Sequence, residues 1–315
     1  MRELKGPVFW LAGTVAVAAS LFHLWTGGFG FLEPREQRSV HLLLLLPLAF
    51  ILYPATQHSP KGRPSLLDWI MSALAVLPSL YSYGCANGGA YCSSVINLRF
   101  ETVDPLSRVE VGLGVLAIVL VLEALRRAVT PILAGLVAVG ILYLFVTEYM
   151  PGILHFRDIP AEQIVETMYL FNSIGIYGSI TGISATMVAM FIIFGAFIEG
   201  SGVGMLFHNL GMKVAGRQSG GPAKVEVASS AMFGTISGSS VANVFATGSF
   251  TIPAMIKLGY RRQFAAGVEA ASSVGGQIMP PVMGAGAFVM AEITNIPYKT
   301  IALAAIAGSL LYFFM

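Results

Sequence analysis

Thirty consecutive residues, 227–256, carry no charge, with Glu226 before them and Lys257 after. In their middle lies "GTISGSSVANV", residues 234–244, a stretch of small, hydroxylated and amide residues of the kind that marks a loop in water. As one helix the run measures about 45 Å, well beyond the ~30 Å hydrocarbon core of a bilayer. Its flanks add a second constraint. Lys213, Arg217 and Lys224 precede it, and Lys257, Arg261 and Arg262 follow. Basic loops stay on the cytoplasmic side, so a single crossing strands one of the two clusters outside. A hairpin that enters from the cytoplasm, turns near the midplane and returns satisfies both facts, with arms of about 12 residues or ~18 Å each.

The rest of the chain supports a lipid solvent. Only 11% of the 315 residues are charged and 56% are hydrophobic, with mean hydropathy +0.76. A soluble domain carries about a quarter charged residues. Eighteen basic against 16 acidic residues leave +2, which argues against a nucleic-acid partner. Apolar stretches long enough to span lie at about 7–26, 39–56, 66–84, 109–125, 131–149, 183–202, 264–292 and 300–315. The second contains Pro47. The first is long enough to remain as an anchor, so a cleaved leader is not expected. The expectation is an all-α polytopic membrane protein of about eight transmembrane segments plus one re-entrant hairpin. A cytoplasmic N-terminus places Arg2, Lys5, Lys61, Arg63, Arg126 and Arg127 inside and leaves Arg35, Arg38, Arg99 and Arg108 outside, a weak bias.

Two breaks carry the chemistry. At the hairpin tip, Gly234 and Gly238 permit the turn, while Ser237, Ser239, Ser240 and Asn243 supply side-chain oxygens. Irregular backbone at that depth is tolerated only where protein or a water-filled cavity satisfies it. A small-residue packing face is the competing interpretation. In the next span, "SSVGGQIMPP" sets Gly275, Gly276, Gln277, Met279, Pro280 and Pro281 against helix continuity. One proline is a kink; this cluster argues for an unwound segment. Two adjacent broken elements meeting at midplane depth form the pattern of a secondary-transporter site. Helix C-termini there offer carbonyls to a desolvated Na⁺, and the second arm, capped near Ser240, offers N–H groups to a carboxylate.

Other polar residues are weighed separately. Glu199 suits a snorkelling role. Glu269 lies deeper, with a pairing to Lys257 or Arg262 as the alternative to a role in coupling. Glu123 is expected to pair with Arg126 and Arg127 one turn on. His23, His41, His58, His155 and His208 show no metal-ligand spacing, and "GTISG" misplaces its serine for a nucleophile elbow, so no enzyme is expected. Residues 150–182 read as a loop with an amphipathic interfacial helix, or as an ordinary loop with a short helix. Cys85 and Cys92 share one side of the membrane and are either bonded or free.

Residues 220–298, from "GGPAKVEVASSAMFGTISGSSVANVF" through "GGQIMPPVMGAGAF" to "ITNIPY", resemble the large membrane subunit of tripartite ATP-independent periplasmic (TRAP) transporters. More narrowly they resemble the fused permeases, in which small and large membrane subunits form one chain. "TPILAGLVAVGILY" and "FIIFGAFIEGSGVG" are similar to that family too. The resemblance implies a Na⁺-driven importer of organic acids in the cytoplasmic (inner) membrane. It further implies a soluble periplasmic binding protein as partner and a transport domain that moves as an elevator in an inverted-repeat fold. Carried over by motif, Ser237, Ser239 and Asn243 help bind one Na⁺, with Gly276, Met279 and Pro281 supplying carbonyls or shape. On this basis residues 1–129 are a four-helix scaffold resembling the small subunit, and 130–315 are the first repeat, with the hairpin at about 220–257 and the broken helix at about 264–292. The second repeat, the remaining C-terminal half of the permease, is absent from this chain. A truncated or split subunit acting only as a membrane scaffold is the alternative to a transporting component.

Overall fold

The computed structural model describes residues 2–56, 59, 60, 62–89, 92 and 95–315, and for Glu199 the backbone only. His58, Lys61 and the side chain of Glu199 therefore lie outside the described residues. These residues form helices joined by turns and short loops, in two compact units, Met1–Thr186 and Met187–Met315.

The first unit holds α1 (Pro7–Phe29), α2 (Pro34–Leu52), α3 (Leu66–Gly84), α4 (Arg108–Ala128), α5 (Pro131–Leu144), α6 (Ala161–Tyr169) and the short α7 (Ser179–Ile183). Serines open α3 and α4 with reciprocal caps: Ser65 with Asp68, and Ser107 with Glu110. Helix α2 begins at Pro34, earlier than hydropathy places it, because Arg35 and Gln37 are buried on internal partners and do not mark a water boundary. Pro47 stays inside the helix. Helix α5 stops at Leu144, short of the expected 149, and gives way to tight turns. Its side chains face outward (Ile132 is 85% exposed and Leu136 68%), an apolar surface suited to lipid.

The interior of this unit is tied by charge. Arg2 donates to Asp68 at 2.6 Å, and Arg127 reaches the other Asp68 oxygen at 2.6 Å. Glu123 pairs with Arg126 and Arg127, as the spacing predicts. Arg35 is buried and donates to the carbonyls of Tyr169, Leu170 and Phe171, its guanidinium 4.6 Å from the centre of the Tyr177 ring. Arg38 donates to the carbonyls of Asn172 and Tyr177. These two arginines hold the 169–177 segment. Helix α6 packs its buried Ile164 and Val165 side against α4, where Gly114 leaves room for Val165, and Glu166 pairs with Arg99. Cys85 and Cys92 are joined in a disulfide. His23 and His41, far apart in sequence, meet at 2.9 Å; His23 Nδ1 contacts the Ala19 carbonyl and His41 Nε2 the Ser184 hydroxyl.

After α7 the helix opens into a π turn over Ser184–Val188 and resumes as α8 (Ala189–Gly200). The second unit then runs through α9 (Val203–Ala215), α10 (Gly221–Ser237), α11 (Ser240–Lys257), α12 (Arg262–Gly275), α13 (Ala285–Thr294) and α14 (Tyr298–Phe314). Helix α9, which hydropathy does not mark as a span, packs on α10 and α11. Among the described residues, three helices are long and apolar enough to cross a membrane by length and composition: Pro7–Phe29, Leu66–Gly84 and Ser179–Ile198.

Candidate functional site

Helices α10 and α11 form a helical hairpin joined at Gly238. Pro222 sits in the first turn of α10, where its missing N–H costs nothing, and Gly238 ends the helix at φ +58°, the left-handed conformation that glycine adopts freely. Ser239 is extended and its hydroxyl accepts from the Ala242 N–H, capping α11. The cap is thus Ser239 and not Ser240, whose backbone is already helical. The arms, of 17 and 18 residues, exceed the expected 12. The charge-free run omits the first turn and a half of α10, where Lys224 and Glu226 are helical.

The broken helix packs against this tip. Helix α12 ends at Gly275 and α13 starts at Ala285, so the break falls on the glycine-proline cluster. Contacts with the hairpin are mostly backbone-close. A Cβ on Gly234 would sit 2.5 Å from Gly276 Cα, and one on Gly238 would meet the Val282 and Met283 carbonyls. The Val282 N–H donates to the Thr235 carbonyl at 3.2 Å, and Gln277 Nε2 donates to Ser240 Oγ at 2.9 Å. Gly275 clears the Tyr312 and Phe313 rings of α14.

A cavity of about 320 Å³ opens between tip and break. Ser237, Gly238, Ser239 and Gln277 line it, together with Gly284 and Ala285 at the start of α13. The N-termini of α11 and α13 therefore both border it, each bringing N–H groups without helical partners. The other sequence-predicted residues lie elsewhere. Asn243 is fully buried between the arms, its Nδ2 donating to the Ser230 carbonyl at 3.1 Å and its Oδ1 within reach of the Ser230 and Thr247 hydroxyls. Gly276 lies beside that amide. Met279 and Pro281 line a different hollow, against Tyr298 and Ser309 of α14. The geometry thus brings Ser237, Gly238, Ser239 and Gln277 to one cavity, Asn243 and Gly276 to the layer beneath it, and Met279 and Pro281 to another face of the break.

Residues 116–315 match the family model of the Tripartite ATP-independent periplasmic transporter, DctM component. The chain belongs to this family. Similar proteins include the isethionate TRAP transporter permease protein DctMQ of Oleidesulfovibrio alaskensis, 35% identical over 105 residues, which are 33% of this chain and 16% of that protein. The C4-dicarboxylate TRAP transporter large permease protein DctM of Rhodobacter capsulatus is 37% identical over 94 residues, 30% of this chain and 21% of that one. The sialic acid TRAP transporter large permease protein SiaM of Vibrio cholerae is 28% identical over 121 residues, 36% of this chain and 28% of its own length. The matches thus span a minor part of each relative. As a TRAP permease component with apolar spanning helices, the chain is a multi-pass membrane protein, and its family is one of transporters and not of enzymes.

Two acids of this TRAP permease are buried, Glu269, which the sequence marks as deep, and Glu226, which it does not. Below the tip, Glu226 of α10 and Glu269 of α12 are buried at 0% and 1% exposure. Glu269 does not pair with Lys257 or Arg262; it accepts from the hydroxyls of Thr247 (3.0 Å), Thr251 (2.8 Å) and Ser273 (3.2 Å). Gly248 makes this possible, since a Cβ there would sit 2.8 Å from the Glu269 carboxyl carbon. The signal was present: Asn243, Thr247 and Thr251 recur every fourth residue, as do Glu226 and Ser230, and Glu269 and Ser273. These are polar stripes on otherwise apolar helices.

Proposed function

We propose that this chain is part of the permease of a Na⁺-coupled TRAP transporter in the bacterial or archaeal inner membrane, importing a carboxylate delivered by a periplasmic binding protein. The observation that carries the reading is the cavity between hairpin tip and broken helix, bordered by two helix N-termini. N–H groups without helical partners suit an anionic carboxylate, and the buried amide and hydroxyl oxygens beneath suit a desolvated cation. The names of the relatives, which specify isethionate, C4-dicarboxylates and sialic acid, support an organic acid.

In this reading residues 1–129 correspond to the small-subunit scaffold and 130–315 to the first repeat of an elevator-type transport domain. The start of the family match at residue 116 supports a boundary in this region. About eight crossings and one re-entrant hairpin follow. The Cys85–Cys92 disulfide suits a loop on the oxidising, periplasmic face.

Uptake into proteoliposomes tests the assignment, with the complete permease and its binding protein. Asn243→Leu keeps the bulk and deletes the oxygen, so the Na⁺ concentration for half-maximal uptake should rise several-fold or more, and Ser237→Ala should act in the same direction more weakly. A sodium midpoint unchanged by Asn243→Leu removes that residue from the site. Equal uptake without the binding protein removes that partner.

A further inference from the structure

An unwound segment inside a bilayer must satisfy its backbone within the protein, and residues 276–284 do so with the help of one side chain from another helix. Pro280 and Pro281 have no N–H. The N–H groups of Gly276, Gln277, Ile278 and Met279 turn back on the carbonyls of Ser273, Val274, Gly275 and Gly276. Beyond the prolines that local pattern ends. The Val282 N–H goes to the Thr235 carbonyl of the hairpin, and the Gly284 N–H to the Gln277 carbonyl at 2.7 Å. Between them, the Met283 N–H donates to the Tyr298 hydroxyl at 3.3 Å, and that hydroxyl donates to the Pro281 carbonyl at 2.7 Å. Among the described residues, no other side chain bonds to this stretch of backbone.

A short turn brings Tyr298 to the break. Asn295 ends α13 at φ +55°, Pro297 precedes α14, and Tyr298 is its first helical residue. The Tyr298 ring stacks on Phe288 of α13 at 4.4 Å and 8°, and Phe288 stacks in turn on Phe191 of α8 at 5.1 Å. Stacking therefore fixes the ring, and the hydroxyl adds two hydrogen bonds that bracket Val282. Val282, Met283 and Gly284 line the cavity at the tip, and the Val282 and Met283 carbonyls are the atoms that Gly238 approaches. Tyr298 instead lines the hollow on the other face of the break, with Met279, Pro280 and Pro281. It can act on the cavity only through the segment it holds.

We propose that Tyr298 is a positioning residue for the site between hairpin tip and broken helix, its hydroxyl setting the 281–283 wall against Gly238. This rests on the reading of that cavity as the substrate site. Without the hydroxyl, the Met283 N–H and the Pro281 carbonyl lose their partner together, and the wall exchanges one held arrangement for several. Substrate then has to select one of them, so apparent affinity falls while the rate of the loaded carrier does not.

Tyr298→Phe keeps the ring and its stack and removes only the hydroxyl. Cys85 and Cys92 are bonded, so in the purified full chain Val282→Cys supplies a single free thiol, at a position 7% exposed. Its rate of reaction with a maleimide reports how often the wall opens. Loss of the two hydrogen bonds should raise that rate roughly 5- to 30-fold in Tyr298→Phe. Val225→Cys, at a buried position in the second turn of α10, should react at an unchanged rate. Equal rates at position 282 with Tyr or Phe overturn the proposal. A rise at both positions overturns it too, by showing general loosening instead. The second readout is uptake into proteoliposomes holding the complete permease and its binding protein, with a panel of radiolabelled carboxylates. For the acid that the wild type imports, the half-maximal concentration should rise several-fold in Tyr298→Phe while the maximal rate holds. An unchanged half-maximal concentration, or a loss of maximal rate alone, contradicts the positioning role. A wild type that imports none of the panel strikes the carboxylate reading instead, and the thiol rates still decide the role of Tyr298.

Discussion

Buried acids in Met1–Thr186 meet arginines, whereas among the described residues the buried Glu226 and Glu269 of Met187–Met315 form no ion pair. In the first unit Asp68 sits between Arg2 and Arg127, Glu166 meets Arg99, and Arg35 is surrounded by carbonyls. In the second, Glu226 and Glu269 meet hydroxyls, that of Thr247 among both. The helix contacts differ in the same sense. Glycines bring helices close at Gly211 of α9 against Val225 of α10, at Gly234 of α10 against Gly276, and at Gly248 of α11 against the Glu269 side chain, and α12 stops at Gly275. An ion pair in a low-dielectric interior fixes its helices, because separating them exposes two charges at once. Hydroxyl-lined acids and glycine contacts impose no such lock.

The largest effect that sharpens this contrast is at Asp68. Asp68→Ala leaves two arginine side chains, 0% and 1% exposed, without their carboxylate and should cost about 3–5 kcal/mol. Thermal melting of the purified protein checks it. By comparison Glu226→Gln should leave the melting point nearly unchanged. A loss as large as that of Asp68→Ala would break the distinction.

Next in size is the contact between tip and break. Gly234→Val pushes side-chain carbon onto Gly276 backbone, which cannot swing away as a side chain can, and overpacking of this kind costs about 1–3 kcal/mol. Uptake by the complete permease should be lost while the Cys85–Cys92 disulfide, read by thiol titration, stays formed. Normal uptake would show that the close approach is not needed. Smallest is Glu123→Gln. Glu123 is partly exposed and Arg127 keeps Asp68, so the melting shift should correspond to less than about 1 kcal/mol.

The hairpin and the broken helix were legible because each is written in local chemistry: a missing charge, a glycine where φ must be positive, a proline pair where a helix must stop. The Glu123 pairing was legible for the same reason, since its partners lie within one turn. What stayed hidden was long-range. Asp68 and Arg127, His23 and His41, and Glu226 and Glu269 are joined only by packing. Glu226 in particular read as the edge of a charge-free run, when it is the second turn of α10. Arg35 and Arg38 counted as topology markers, and both are held by the carbonyls of one internal segment. Met279 and Pro281 share a motif with Gln277, but the break turns them to another face.

The central claim is that α10 and α11 enter and leave on one side of the membrane. Cys85 and Cys92 are tied in a disulfide, so an added cysteine is the only free thiol among the described residues. Lys224 and Lys257 are exposed at the two ends of the hairpin. Lys224→Cys and Lys257→Cys, each labelled with a membrane-impermeant maleimide in oriented vesicles, should both react from the cytoplasmic face alone. Labelling of the two positions from opposite faces would make the run a crossing and contradict the account.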